Sequence, residues 1–265
     1  DLHSFPTRRS SDLYSYIDRL NVPADMVMLG DNRIQVGTKT IIYDGSIEEL
    51  GLPSIPAIFT FPGTAGDDTI TLTPSTLIIN GLAVSLAGVV ELTVNGGGGN
   101  DTFVVTGVSP DLTVLTFNGG IGTDSIFGPT GDNTWTFTGL GAGSLAGDDP
   151  FDFTGIENVT GGSEDDRFIF DGDSASIAGA LDGSDGEDIL DYSGRSAAVT
   201  IDLGTGAATA TGGFTGIEQL VGSKHSADKL VGANAETAWD ITGTNAGSVG
   251  GLNFTKIEND IGGTA

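Results

Sequence analysis

Short apolar runs alternate with polar, glycine-rich breaks along almost the whole chain. Thr102–Thr106, Thr113–Phe117, Arg167–Phe170 and Val199–Leu203 gather Val, Ile, Leu, Phe and Thr between Gly, Asp, Asn and Ser. Runs this short, with period-two patterning and breakers at both ends, predict strands. A long 3.6-residue period is missing; Ser174–Leu181 is the one place where one or two helical turns are expected. The richest apolar stretch, Thr76–Val94, is broken by Asn80, Gly81, Ser85, Gly88 and Glu91. It therefore falls short of the roughly 18 uninterrupted apolar residues that a membrane span needs.

The runs are organised as repeats. Phe-Thr-x-Ile-Glu recurs as FTGIENVTGG at Phe153–Gly162, FTGIEQLVGS at Phe214–Ser223 and FTKIENDIGG at Phe254–Gly263, with weaker relatives at Val89–Gly97 and Ser46–Leu50. Trp135 opens WTFTGLGAGSLAG and Trp239 opens WDITGTNAGSVGG, two copies of one unit. A glycine-rich acidic block begins at Gly63, Gly96, Gly119, Gly161 and Gly183, with a degraded form, GSKHSADKL, at Gly222. From Gly96 onward these starts are spaced by one or two multiples of about 21 residues, with Gly139, Gly204 and Gly243 filling the skipped positions. A step of that size is too short for a helix pair and suits one coil of a β-solenoid. The expected fold is thus all-β: a parallel β-helix or β-solenoid with about 21 residues per coil, tandem β-sandwich repeats being the structural alternative. Stacking lets neighbouring coils satisfy one another's backbone groups at about 4.8 Å spacing, and glycine permits left-handed corners. Residues 63–265 form the repeat array; residues 14–62 follow the period poorly and are read as a less regular β-repeat region. The last unit stops short at Ala265, so further repeats are expected beyond both ends.

Charge narrows the partners. Lys and Arg number 10 against 36 Asp and Glu, a net charge of −26, and no Lys or Arg occurs between Lys39 and Arg167. That balance argues against nucleic acid and anionic membrane surfaces as partners. Glycine, at 43 residues, is about twice its usual share. With no Cys, disulfides, thiolate metal sites and cysteine nucleophiles are all excluded. His3–Leu13, HSFPTRRSSDL, resembles the translation of a common sequencing adapter, so residues 1–13 are set aside as non-native.

The acidic blocks resemble the repeats-in-toxin nonapeptide, G-G-x-G-x-D-x-U-x with U a large apolar residue. Gly96–Val104 and Gly119–Phe127 fit every specified position; Thr64, Glu164 and Ser184 replace a glycine in the blocks at Gly63, Gly161 and Gly183. The resemblance implies calcium binding through the aspartate and backbone carbonyls of the first six residues. Its implied ligands are Asp68, Gly96, Gly97, Gly99, Asp101, Gly119, Gly120, Gly122, Asp124, Asp166 and Asp188. Oxygen-rich flexible loops suit Ca²⁺. The family's loops come in tandem, two per coil, whereas here they occur singly, with Asp101 expected beside Asp124 and Asp166 beside Asp188. Gly-Asp is also ordinary turn chemistry, which leaves a purely structural role open.

Glu91, Glu157, Glu218 and Glu258 of the Ile-Glu motif are read as structural. Asn158 and Asn259 are candidates for an amide ladder. Trp135 and Trp239 are read as packing residues rather than sugar platforms. The function these features suggest is a non-catalytic, structural or adhesive, calcium-stabilised segment of a large bacterial protein, secreted or held at the cell surface. Extracellular polysaccharide or another cell-surface ligand is its expected partner class. The alternative is a polysaccharide-acting lyase or glycosidase, which rests on fold analogy. Carboxylate pairs are too abundant here to single out a catalytic one.

Overall fold

The structure is a computed structural model. It describes the strands Arg19–Asn21, Met26–Gly30, Arg33–Val36, Lys39–Ile42 and Glu49–Gly51, and then residues 57–233 and 238–262. The adapter-like segment lies outside the described residues. The described chain is all-β, and the turn of helix expected at Ser174–Leu181 is absent. Ala175 and Ile177 are buried at alternate positions instead. The Ser176 N–H donates to Gly139 O and the Ile177 N–H to Ala210 O. Cross-chain bonding has captured the donors that a helical turn would have used internally.

Two long sheets carry the architecture, one of 10 strands and one of 12. The chain passes repeatedly from one to the other. Val89–Gly98 and Val114–Ile121 lie side by side and parallel in the larger sheet, and their sequels Thr102–Val105 and Ser125–Phe127 do the same in the smaller. Phe151–Thr154 and Asn158–Thr160 continue the two rows; further on, Arg167–Phe170, Ile189–Asp191 and Gln219–Val221 run parallel in the larger sheet, and Ala180–Asp182 and Gly213–Thr215 in the smaller. Alternate residues of these strands point inward, and the core runs between the sheets. Phe103 from the smaller sheet meets Phe117 from the larger edge-on at 5.2 Å, and Phe117 meets Phe151 at 5.1 Å. Hydrogen bonding along the rows and apolar burial between them are the two forces that hold the molecule.

The advance per pass is not the uniform 21 residues expected from the glycine spacing. Equivalent corner residues are separated by 33, 23 and 33 positions in the first part, and by 33, 22 and 30 further on. The extra residues form antiparallel hairpins. Thr134–Gly139 folds back on Ala142–Ala146, which pairs in turn with Phe151–Thr154. Trp239–Gly243, Ala246–Val249 and Leu252–Thr255 repeat that meander. Thr76–Ile79 and Leu82–Ser85 make another, turning at Asn80-Gly81 with both residues at positive φ (51° and 85°). Asn-Gly is the dipeptide that a two-residue hairpin turn with left-handed φ prefers. Gly139, Gly204 and Gly243 therefore close hairpins rather than open new passes.

The early region differs in topology. Met26–Gly30, Arg33–Val36 and Lys39–Ile42 form a separate antiparallel sheet, whereas Arg19–Asn21 and Glu49–Gly51 join the 10-stranded sheet in parallel. Among the described residues there is no helix long and apolar enough to cross a membrane.

Candidate metal centre at the carboxylate corners

The aspartates singled out in the acidic blocks sit at corners of the passes, and all are buried: Asp68, Asp101, Asp124, Asp166 and Asp188. They are tied together through the backbone. The N–H of Asp68 donates to Asp101 Oδ1 at 2.7 Å, the N–H of Asp101 to Asp124 Oδ1 at 2.7 Å, and the N–H of Asp124 to Glu157 Oε2 at 2.8 Å. A second run starts at Asn133, whose N–H donates to Asp166 Oδ1 at 2.8 Å. It continues from the Asp166 N–H to Asp188 Oδ1 at 2.7 Å and ends from the Asp188 N–H to Glu218 Oε2 at 2.8 Å. A third runs from the Val199 N–H to Asp228 Oδ1 and from the Asp228 N–H to Glu258 Oε2. Each carboxylate thus caps the N–H of the corner residue one pass earlier, and each run ends in a glutamate. The expected neighbours Asp101 with Asp124 and Asp166 with Asp188 are brought together, while the two pairs belong to separate runs.

Asp228 and the terminal glutamates are the members that sequence reasoning missed. Asp228 lies six residues after Gly222, whereas the other blocks place their Asp five after the first glycine, so it was read as part of a degraded copy. Glu157, Glu218 and Glu258, expected to be structural, each accept the N–H of a corner aspartate. Glu91 does not belong to the set: it lies in Val89–Gly98, opposite Val114 and Ile58. The amide stack forms elsewhere than expected. Asn118 Nδ2 donates to Asn95 Oδ1 at 3.3 Å, and Asn95 Nδ2 to Phe61 O at 2.9 Å. Asn158 instead joins Ser125 and Ala180, and Asn259 donates to Asp228 O.

The glycines shape the cradle. A Cβ on Gly96 would lie 2.1 Å from Asp101 Oδ2 and 2.5 Å from Gly119 O; on Gly119 it would lie 2.5 Å from Asp124 Oδ2. The same fit recurs at Gly161 with Asp166 and at Gly183 with Asp188. Gly97 pairs with Gly120 in the parallel register, and a side chain on Gly120 would strike Gly97 O. Gly99 and Gly122 are stacked as closely, the Gly99 carbonyl lying where a Cβ on Gly122 would go.

The second carboxylate oxygen separates the sites. Asp68 Oδ2 accepts from the Thr64 N–H, and its Oδ1 from Thr64 and Asn80 side chains. Asp166 Oδ2 accepts from the Gly162 N–H, and Asp228 Oδ2 from the Ser223 N–H. By contrast, Oδ2 of Asp101, Asp124 and Asp188 is buried without a partner among the described residues. Burying a carboxylate is costly, and the cost shows in proton affinity at these corners. Burial pushes Asp101 and Asp188 up to about 6, despite the backbone hydrogen bond that each accepts and with neighbouring carboxylates adding to the rise. Burial raises Asp124 and Asp166 as well.

This donor chemistry fits a hard cation at three places. Asp101, Asp124 and Asp188 each keep one oxygen free, beside the first glycine of the loop and near carbonyl oxygens of the next pass. Carboxylate and carbonyl oxygens are the donors that Ca²⁺ takes. Among the described residues no three acidic or histidine side chains converge, so carbonyls and solvent would supply most of the shell. Asp68 and Asp166 have both oxygens engaged already.

Trp135 is a core residue of the repeated meander, and Trp239 packs half-buried against that core. Trp135 is 0% exposed, stacked on Phe168 at 6.2 Å and edge-on to Phe153 at 5.9 Å. Trp239 meets Phe254 edge-on at 6.0 Å. No family model matches the sequence, and no curated protein or solved structure matches it either.

Proposed function

We propose that this chain is a non-catalytic repeat segment, structural or adhesive, of a large bacterial protein that is secreted or displayed at the cell surface. In this reading the two parallel rows are the walls of a β-solenoid of the repeats-in-toxin type, with passes of unequal length, and calcium stabilises its corners. The observation that carries the proposal is the recurrence of one buried carboxylate at successive corners, three of them with an oxygen left free. A cation at Asp101, Asp124 or Asp188 would balance a charge that the fold otherwise buries uncompensated. Its binding would couple folding to export, since a chain of net charge −26 repels itself where calcium is scarce. Carboxylates spent on backbone amides, rather than gathered around a cleft, favour this reading over a polysaccharide-acting enzyme. Extracellular polysaccharide or another cell-surface ligand is the partner class that an adhesive segment would meet.

Circular dichroism and thermal unfolding in calcium and in chelator test it. Strand content or melting temperature rises with calcium and falls with chelator if the corners hold the ion. An identical melt in both removes calcium from the account.

A further inference from the structure

The corner aspartates fall into two classes, and the residue four positions before each one divides them. That residue is the second of its acidic block: Thr64 before Asp68, Gly97 before Asp101, Gly120 before Asp124, Gly162 before Asp166 and Ser184 before Asp188. The blocks stack closely at this position. A Cβ on Gly97 would lie 2.3 Å from Thr64 O, one on Gly120 2.2 Å from Gly97 O, and one on Gly162 2.2 Å from Pro129 O.

The backbone here is left-handed in three blocks, with φ of 100° at Gly97, 105° at Gly120 and 78° at Ser184. Their aspartates, Asp101, Asp124 and Asp188, are the ones whose buried Oδ2 has no partner among the described residues. Thr64 and Gly162 lie outside the left-handed region. There the N–H of the same residue donates to the aspartate, Thr64 to Asp68 Oδ2 at 2.7 Å and Gly162 to Asp166 Oδ2. Ser184 shows where the N–H goes in the first class: it donates to Asp182 Oδ1 at 3.2 Å, away from Asp188. A serine at that φ is strained, so something other than local preference holds it. The corner after Gly128 has neither partner. Pro129 has no N–H to give, and four positions on stands Asn133, whose Nδ2 donates to Pro129 O at 3.0 Å.

We propose that the second residue of each acidic block decides which corner takes a cation. A left-handed backbone there turns its N–H away and leaves the aspartate Oδ2 free for the ion; any other conformation closes the site with that N–H. Asp101, Asp124 and Asp188 are then open, and Asp68 and Asp166 closed. Glycine adopts either state, as Gly120 and Gly162 show. A β-branched residue such as Thr64 holds the closed one. The cation half of the proposal rests on the reading of the corners as calcium sites; the turning of the N–H does not.

Ser184 is exposed and offers the test. Valine is strongly disfavoured at positive φ, so Ser184→Val should swing this N–H onto Asp188 Oδ2. In chelator, the amide of residue 184 should then exchange about ten-fold more slowly or less than in the wild-type chain, and calorimetric titration should find one calcium ion fewer. Ser184→Gly should keep fast exchange and full calcium binding, and melt as high as the wild-type chain or higher. Exchange at residue 184 as fast in the valine variant as in the wild-type chain overturns the proposal, and so does slow exchange with no loss of calcium. If the valine variant fails to fold, Ser184→Gly decides alone: a lower melting temperature or a lost calcium ion overturns the proposal. Calcium binding by none of the chains overturns the cation half together with the reading it rests on, and the exchange measured in chelator separates that failure from a failure of the N–H to turn.

Discussion

The backbone N–H of Asp101 donates to Oδ1 of Asp124 at 2.7 Å, across 23 residues of chain and one pass of the fold. That single bond joins two roles that are easily read as alternatives. The aspartate is a structural cap, because it satisfies a buried amide of the neighbouring pass. It also remains a potential ligand, because its other oxygen has no partner. A carboxylate with one oxygen engaged and one idle is held rigidly, and the idle oxygen lies against a glycine that leaves it room.

Removing the cap exposes its worth. Asp124→Ala leaves the Asp101 N–H buried without an acceptor and should cost about 1–3 kcal/mol. Asp124→Asn keeps an acceptor oxygen and places a neutral donor where the idle anion was, so it should cost less. The chain already carries such an exchange: Asn133 occupies a corner, its N–H donating to Asp166 and its Nδ2 to Pro129 O. Chemical denaturation of both variants measures the difference, and the asparagine variant should also lose part of its response to calcium.

Acid should stabilise the calcium-free chain. Asp101 and Asp188 are raised to about 6 in the folded state, above the unfolded value of 3.8. Between those limits the folded chain binds more protons than the unfolded chain, so stability falls as pH rises. The contribution is complete below about pH 4 and lost above about pH 6. Melting in chelator should therefore rise on going from pH 7 to pH 5, and saturating calcium should flatten that slope by replacing the proton. A melting temperature that falls over this interval contradicts the assignment.

The glycine cradle predicts a sharp contrast between two Gly→Ala changes. At Gly119 a Cβ would sit 2.0 Å from Gly155 O and 2.5 Å from Asp124 Oδ2, and backbone cannot yield cheaply. The overpacking should cost about 1–3 kcal/mol or more. At Gly66 a Cβ would meet nothing within 4 Å, so Gly66→Ala should be close to neutral. Thermal melts of the pair decide it.

How much of this was legible in the sequence depends on the residue. Period-two runs located strands such as Arg167–Phe170, and the block spacing placed Asp101 beside Asp124. The even winding was not there to be read, because hairpin turns and corners draw on the same residues. Gly139 and Gly243 close hairpins, yet their local composition matches that of the corner at Gly96. Asn80-Gly81, which the sequence offers as a break in an apolar stretch, is a hairpin turn. Glu157 was hidden for another reason: its longer side chain does from a different motif what aspartate does from the acidic block.

The two tryptophans should differ as strongly as their surroundings. Trp135→Ala empties a site enclosed by Phe151, Phe153 and Phe168 and should cost about 3–5 kcal/mol. Trp239 keeps one aromatic neighbour and is partly open to solvent, so Trp239→Ala should cost well under half of that. Equilibrium unfolding monitored by circular dichroism compares them.

Amide hydrogen exchange is the most direct measurement of whether buried carboxylates tie successive passes together. In the wild-type chain the amides of Asp68, Asp101 and Asp166 should be among the slowest to exchange. In Asp124→Ala the Asp101 amide should lose its protection while Asp166, in the other run, keeps it. Unchanged protection at Asp101, or a loss spread evenly over both runs, would contradict the ladder.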